Sequence, residues 1–316
     1  MQEMEEIERD EALLRLAQAL REEGYQFTTV SPATHALVNS RPGNALATDL
    51  RGIFGWSRPF NTNTLPPSLF ALMQAAGVAV QHGGRWHSLV RLSTLHGRLF
   101  IHSAYPTVDA DAVFFGPDTY RFAAALASHL ETRASPVQRA VDIGCGAGPG
   151  AIMLALERPG AEVLAVDIND AALRLTAINA ALAGTPNVLP HRSNLLSAVD
   201  GQFDLIIANP PYLLDCTQRT YRHGGGGLGE GLSLGITRVA MDRLAPGGTL
   251  LLYTGTAIVD GVDHIQAAIT ARLRDADVEW EYREIDPDIF GDSLLEPAYA
   301  GTDRIAAVLV TVTRNS

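Results

Sequence analysis

The second half of the chain repeats one pattern, in which a short apolar run alternates with a segment of helical spacing. Residues Arg139–Leu156 read as a strand, a glycine-rich turn and the first turns of a helix, and a second strand ends at Asp167. A third strand precedes RSNLL, a fourth lies within 203–212, and a fifth lies in APGGTLLLYTG. Runs that are apolar throughout are typical of parallel strands buried on both faces. The pattern therefore predicts an α/β fold with a Rossmann-like, doubly wound sheet.

The N-terminal third has a different pattern. Helical spacing is present at about Glu5–Glu22 and Pro66–Ala76. From Val78 to Tyr105, apolar and polar residues alternate on either side of Gly83-Gly84 and of Gly97, which indicates β-hairpins. Helices followed by a small antiparallel sheet predict a winged-helix-like α+β unit.

The length of 316 residues favours two domains, and 47% hydrophobic residues suffice for two cores. We expect an N-terminal domain over 1–110 that covers the site and recognises the substrate. Residues 111–316 are expected to form the domain that carries the chemistry.

The run FDLIIANPPY places polar and rigid residues directly after a predicted buried strand. Ligands in doubly wound sheets bind beyond the carboxyl ends of the strands. Asn209 Oδ1 and the Pro210 carbonyl can each accept one hydrogen of an NH2 group, since proline has a fixed φ that keeps its carbonyl in place. With Pro211 they form a rigid turn, and Tyr212 can cover a flat group. The alternative is a strand end that merely turns at Asn-Pro.

The glycine-rich turn DIGCGAGPG indicates the kind of ligand. Gly144, Gly146 and Gly148 leave room for a close approach of the backbone, and Pro149 suits the first turn of a helix. A dinucleotide fingerprint would need glycine in place of Pro149, which makes a dehydrogenase a weak alternative. Asp142, just before the turn, would repel a phosphate but can pair with an ammonium group.

A second acid, Asp167, ends the next strand, so it should lie beside Asp142 at the same rim of the sheet. An acid at that point typically binds both ribose hydroxyls. The ligand that these features require has an adenosine, an amino-acid ammonium and no phosphate, which describes S-adenosyl-L-methionine.

With both motifs, the chain resembles the class I S-adenosylmethionine-dependent methyltransferases. More narrowly it is similar to the N-methyltransferases with [DN]PP[YF], which include the protein-glutamine methyltransferases of release factors and many base-amino methyltransferases. The resemblance covers roughly the last 200 residues. It implies a seven-stranded sheet whose last two strands pair antiparallel at the edge, and an acceptor nitrogen held by Asn209, Pro210, Pro211 and Tyr212. It also implies cofactor contacts from Asp142, Gly144, Gly146, Gly148, Asp167, Ile168, Asn194, Leu195 and Asn209.

The segment FFGPDTYRFAAAL is similar to the part of these enzymes that folds over the methionine end of the cofactor. Asp118, Thr119 and Tyr120 are therefore additional cofactor candidates. The alternative for Asp118 or Thr119 is N-capping of a helix through 123–130, and the two roles are compatible.

Charge and composition limit the partners. The net charge is −11, and all 24 basic residues are arginine. Because nucleic-acid binding needs a basic face, nucleic acid is a disfavoured partner, although Arg219 and Arg222 could lie at the mouth of the site. We expect a small-molecule or protein-segment acceptor and a cytoplasmic protein without a signal peptide or membrane span. His82, His87, His96 and His102 lack a metal-ligand pattern, so we expect surface or half-buried histidines and no metal. Cys145 and Cys216 are expected to pack as small apolar residues and to form no disulfide.

Further along, Gly224–Gly227 form a flexible stretch next to the NPPY motif. This stretch predicts a lid or a substrate-shaped loop, with a plain linker as the alternative.

The N-terminal part differs from the helical bundle of the release-factor enzymes, which weakens the case for a release factor as the substrate.

The leading hypothesis is an N-methyltransferase that acts on a planar amide or amino nitrogen. A second is a natural-product enzyme, including one in which the cofactor has a non-methyl fate. Nucleic-acid base methylation or a winged-helix DNA-binding regulator is a weaker hypothesis.

Overall fold

The computed structural model of the protein describes residues 2–133, 135–215, 219 and 221–316. Its N-terminal unit contains four helices and two hairpins. The helices are α1 (Gln2–Glu22), α2 (Pro32–Asn39), α3 (Leu50–Phe54) and α4 (Pro67–Ala75). The hairpins pair β1 (Ala79–His82) with β2 (Arg85–Ser88), and β3 (Val90–Leu95) with β4 (Arg98–Ser103).

The predicted hairpins are present, with turns at Gly83-Gly84 and at His96-Gly97, where all four residues have positive φ. Helices α2 and α3 were not predicted, because each is short. His102 is an exception to the expected surface or half-buried histidines, since it is fully buried and its Nε2 hydrogen-bonds Ser93 Oγ at 2.7 Å. The likeness to a winged helix stays a prediction.

The remaining elements form a sheet with helices on both faces. They are, in chain order, α5 (Pro117–Thr132), β5 (Arg139–Ile143), α6 (Pro149–Glu157), β6 (Glu162–Asp167), α7 (Asp170–Ala183), β7 (Val188–Arg192), β8 (Phe203–Ala208), α8 (Gly231–Arg243), β9 (Leu244–Val259), β10 (Val262–Asp263), α9 (His264–Leu273), β11 (Val278–Asp286) and β12 (Thr302–Arg314).

The strand order is β7-β6-β5-β8-β9-β12-β11, and the short β10 pairs with β9. Strands β5 to β9 pair in parallel, whereas β12 runs antiparallel to both of its neighbours. The predicted fold class, a doubly wound α/β sheet with an antiparallel pair of C-terminal strands at its edge, is confirmed. The chain-terminal strand itself lies second from the edge, and β11 is the edge strand.

The two parts of the chain share a hydrophobic core. Leu175 and Ile178 of α7 lie in the same buried cluster as Leu13 and Leu16 of α1. The side chain of Asn179 accepts from the backbone N–H of Ile101 and donates to the carbonyls of Ile101 and Ala147, all at 2.8–2.9 Å. The division at residue 110 stays a prediction, and a cut there would expose the apolar face of α7.

In the described part of the chain, no helix is long and apolar enough to cross a membrane. The same residues contain no group of three or more His, Cys, Asp and Glu side chains that could hold a metal ion. Cys145 is buried as a free thiol, and Cys216 lies outside the described residues.

Candidate functional site

Two carboxylates lie at the ends of neighbouring parallel strands, as the sequence predicts. Asp142 on β5 is 2% exposed, and its Oδ2 accepts from the N–H of Ala151 in α6 at 2.9 Å. Asp167 ends β6, and its two oxygens accept from the N–H groups of Gly146 and Asn169 at 3.0 and 2.9 Å. The two carboxylates therefore hold the glycine turn, the first turn of α6 and the chain that follows β6.

The glycine turn leaves open space on its ligand side. Gly144 and Gly146 have φ of 73° and 55°, and a Cβ on either would meet no atom within 4 Å. Gly148 differs, since it is the N-cap of α6 and a Cβ there would lie 2.9 Å from Thr176. Gly148 is thus required by helix packing and does not line the cavity beside the turn.

A first cavity of about 160 Å³ lies beside the turn. The predicted cofactor residues that line it are Thr119, Asp142, Gly144, Gly146, Asp167, Ile168, Asn194, Leu195 and Asn209. Gly148, Asp118 and Tyr120 do not line it, so the structure does not bring these three to the predicted cofactor position. The roles of the lining residues as cofactor contacts stay predictions.

Charge in the first cavity indicates its ligand. Neither arginine nor histidine is among the described residues that line it. Burial raises the pKa of Asp142 to about 7 and also raises the pKa of Asp167. A buried and a half-buried carboxyl group without a cation among the described lining residues fit a ligand that brings an ammonium group and ribose hydroxyls, as S-adenosylmethionine does.

The N-cap of α5 is neither of the two predicted residues, Asp118 and Thr119. Gly116 is the N-cap, and Thr119 sits three residues later, where its Oγ1 accepts from Gly116 N–H at 3.2 Å. Asp118 is 3% exposed and accepts from the hydroxyl of Tyr253. The hydroxyl of Tyr120 accepts from Thr29 N–H at 3.0 Å. Asp118 and Tyr120 therefore connect α5 to other elements.

A second cavity of about 620 Å³ adjoins the first. Its walls come from Ser31–Ala33 at the start of α2, from Tyr105–Val108 after β4, from the NPPY segment, and from 288–293 near the C-terminus. Residues before 111 thus line the space next to the NPPY motif, which is the placement required if the N-terminal unit shapes the acceptor site.

The NPPY motif lies where the two cavities meet. Asn209, Pro210 and Pro211 line both of them. Among the described residues, no group hydrogen-bonds the side chain of Asn209 or the carbonyl of Pro210, so both remain available to a ligand. Their predicted role, to hold an NH2 group, stays a prediction.

Tyr212 has a different position from the other three residues. It lines only the second cavity, is 7% exposed, and packs its ring against Tyr253 and Phe290. Gly255 makes this possible, because a Cβ there would lie 2.4 Å from the ring. The Tyr212 hydroxyl is buried next to Asp118 and Tyr253. Its role as a cover for the acceptor stays a prediction.

The chain after NPPY folds back on the motif. Gly224 N–H donates to the carbonyl of Leu213, and Leu232 N–H donates to the carbonyl of Gly224, both at 2.8 Å. The glycine-rich stretch therefore forms hydrogen-bonded turns before α8, and its role as a lid stays a prediction.

Arg219 and Arg222 line the second cavity, but Asp215 forms an ion pair with Arg219 at 2.8 Å, and Glu296 forms one with Arg222 at 2.7 Å.

Two aromatic residues without a predicted role in the site lie at the junction of the cavities. Phe114 and Tyr221 each line both cavities, and their rings stack with centroids 5.7 Å apart and planes within 2° of parallel. Phe114 belongs to the FFGPDT segment, but Tyr221 lies in a stretch without a recognisable motif.

The raised pKa of Asp142 predicts a pH dependence of cofactor binding. The carboxyl is neutral below about pH 7 and ionised above it, and only the ionised form attracts an ammonium group. We expect the affinity for S-adenosylmethionine to rise at least about tenfold between pH 5.5 and 7.5. Calorimetry across this range measures it. Asp142→Asn, which can still accept from Ala151 N–H, should bind weakly with a flatter profile. An identical slope in this variant would exclude Asp142 as the titrating group.

Comparison with known proteins agrees with this geometry. The family described as "Methyltransferase small domain" matches residues 107–257. A release factor glutamine methyltransferase of Xylella fastidiosa is 38% identical over 131 residues, which are 37% of this chain and 47% of the relative. The enzyme of the same name from Deinococcus radiodurans is 33% identical over 196 residues, 58% of this chain and 66% of the relative.

A relative with a different acceptor in its name is the 4-amino-L-phenylalanine/4-methylamino-L-phenylalanine methyltransferase of Streptomyces pristinaespiralis. It is 32% identical over 146 residues, 43% of this chain and 50% of the relative. The chain spans about half the length of most of these relatives, so the likeness concerns the part that contains the two motifs.

Proposed function

Since the chain belongs to the class I S-adenosylmethionine-dependent methyltransferases with an NPPY motif, as the sequence predicted, we propose that it methylates a planar amide or amino nitrogen. The observation that carries the proposal is the position of Asn209. It stands where an acidic cavity that fits S-adenosylmethionine meets a larger one, and no described residue hydrogen-bonds its side chain.

The residues of the junction suit the reaction without a strong base. Asn209 Oδ1 and the Pro210 carbonyl accept the two hydrogens of an NH2 group, which directs the nitrogen lone pair away from them. When bound, S-adenosylmethionine supplies an electrophilic methyl on its sulfonium, and the C–S electron pair stays with the sulfur. As the nitrogen gains positive charge, its N–H groups become better donors to these oxygens. The proton then leaves the nitrogen for solvent in the second cavity.

For the acceptor, we propose the side-chain amide of a glutamine in a protein segment. Two relatives named above act on release factors by their names, and the second cavity extends from the NPPY motif to the N-terminal unit. Nucleic acid is a poor alternative, because the net charge is −11 and the three arginines among the described residues that line the second cavity, Arg121, Arg219 and Arg222, are all in ion pairs. The relatives give less support to a natural-product acceptor.

The experiment is a product analysis. The purified protein is incubated with S-adenosylmethionine and, separately, with a purified release factor, a glutamine-containing peptide and 4-amino-L-phenylalanine. We expect S-adenosylhomocysteine and a methylated glutamine with a protein or peptide acceptor. Methylation of 4-amino-L-phenylalanine alone would replace the protein acceptor by a small aromatic amine. Methylthioadenosine would show a non-methyl fate of the cofactor and overturn the proposal.

A further inference from the structure

Five described residues line both cavities: Phe114, Asn209, Pro210, Pro211 and Tyr221. A methyl group that passes from the first cavity to an acceptor in the second must pass among them. Asn209 and the prolines supply oxygens and rigid backbone, which hold the edge of an NH2 group. The face of the acceptor group then lies against the remaining two residues, and both of these are aromatic.

We propose that the ring of Tyr221, stacked on Phe114, is the surface that recognises the planar acceptor group, and that Tyr221 thereby determines acceptor specificity. This inference rests on the proposed N-methyltransferase function. It assigns to Tyr221 the contact that the NPPY pattern alone would assign to Tyr212. The acceptor groups that fit are flat and uncharged, namely a carboxamide or an arylamine.

The surroundings of Tyr212 support the assignment. Its ring is enclosed by Tyr253, Phe290 and the glycine at position 255, its hydroxyl is buried, and it does not reach the first cavity. Tyr212 can therefore form a wall of the second cavity, but its ring is not at the junction where the methyl group passes.

Hydrogen bonds at the tip of Tyr221 fix the position of its ring. Its hydroxyl donates to the carbonyl of Thr107 at 2.8 Å and accepts from Arg219 Nη1 at 3.2 Å. Two further hydrogen bonds of 2.8 Å from Arg219 to Asp215 hold the guanidinium. The ring is offset-stacked on Phe114, and the guanidinium carbon of Arg219 lies 5.6 Å from its centroid, so the part of the ring that these neighbours leave uncovered faces the junction.

Phe114, the stacking partner, is positioned from the other side. A Cβ at Gly116 would lie 2.4 Å from the end of the Phe114 ring, so this glycine makes room for the ring. Thr107 and Phe114 both precede α5, whereas Tyr221 follows the NPPY motif. The recognition surface is thus assembled from two distant segments and depends on their correct packing.

The test uses the full chain saturated with S-adenosylhomocysteine and the probe para-fluorobenzamide, a primary amide on a flat ring. Fluorine NMR follows its binding. With the wild type we expect saturable binding and an upfield shift from the stacked rings. Tyr221→Leu should weaken binding by about tenfold and reduce the shift, because only the Phe114 ring remains. Tyr221→Phe, which keeps the ring but loses the contact with Thr107, should have an intermediate affinity.

The matched control is Tyr282→Leu, which removes a tyrosine of β11 that lies outside both cavities and bonds Asp263. It should bind the probe like the wild type. Unchanged binding in Tyr221→Leu, or no binding to the wild type, would overturn the inference. Methyl transfer to a protein acceptor, measured separately, distinguishes the two proposals. Transfer without a Tyr221 effect would refute only the specificity role, whereas probe binding without any transfer would refute only the function.

Discussion

Replacing Asn209 by alanine is expected to lower methyl-transfer turnover by at least about a hundredfold, which corresponds to about 2.7 kcal/mol of transition-state stabilisation. The reason is geometric. Its side-chain oxygen is free of described partners at the junction of the cavities, and its hydrogen bond to the acceptor nitrogen strengthens as that nitrogen gains charge. Turnover of S-adenosylmethionine at saturation measures the effect, and calorimetry checks that cofactor affinity is largely kept.

Two variants serve as controls for Asn209→Ala. Asn209→Asp keeps an acceptor oxygen and adds a favourable charge, so it should retain part of the turnover. Asn61→Ala removes an exposed asparagine of the N-terminal unit that accepts from Arg85, and it should leave turnover unchanged. Near-normal turnover of Asn209→Ala would mean that NPPY is only a turn here and that the acceptor nitrogen is held elsewhere.

The second large effect is expected at Asp167. Asp167→Ala should weaken S-adenosylmethionine binding at least about a hundredfold, because two charge-assisted hydrogen bonds to the ribose are lost at about 1.5–3 kcal/mol each. The structure adds a second cause, since the same carboxylate accepts from the N–H of Gly146 and so holds the glycine turn. Calorimetry with S-adenosylmethionine and with S-adenosylhomocysteine measures the loss.

Asp170→Ala is the matched control, because it removes the same charge three residues later. Asp170 is exposed, pairs with Arg192 and does not line the first cavity. Its removal should change the affinity little. Unchanged affinity in a folded Asp167→Ala protein would exclude this strand end from ribose binding.

The sheet and the acidic cavity could be predicted because both depend on short stretches of sequence. Apolar runs bounded by turns mark the parallel strands, and right-handed connections place Asp142 and Asp167 at one rim. The glycine turn is equally local. The contact of Gly148 with Thr176 of α7 is not local, and the glycine spacing alone does not show it.

The second cavity could not be predicted in the same way. Its walls come from the start of α2, from the chain after β4 and from 288–293, which are distant in sequence and meet only through packing. The burial of Tyr212 depends on Gly255 in β9, and the position of Tyr221 depends on Thr107. These pairings leave no periodic signal, whereas a motif such as NPPY is visible as a string of letters.

The shared core around α7 has a consequence for protein engineering. Asn179 connects β4 of the N-terminal unit to the carbonyl of Ala147 in the glycine turn, and the outer face of the same helix packs on α1. The N-terminal unit is therefore not an interchangeable module. A chimera that joins residues 1–110 to the catalytic half of a relative would bring together two surfaces that were not formed for each other. The face of α7 that packs on α1 belongs to the same interface. A graft designed to change the acceptor should therefore transfer this face of α7 together with the N-terminal unit.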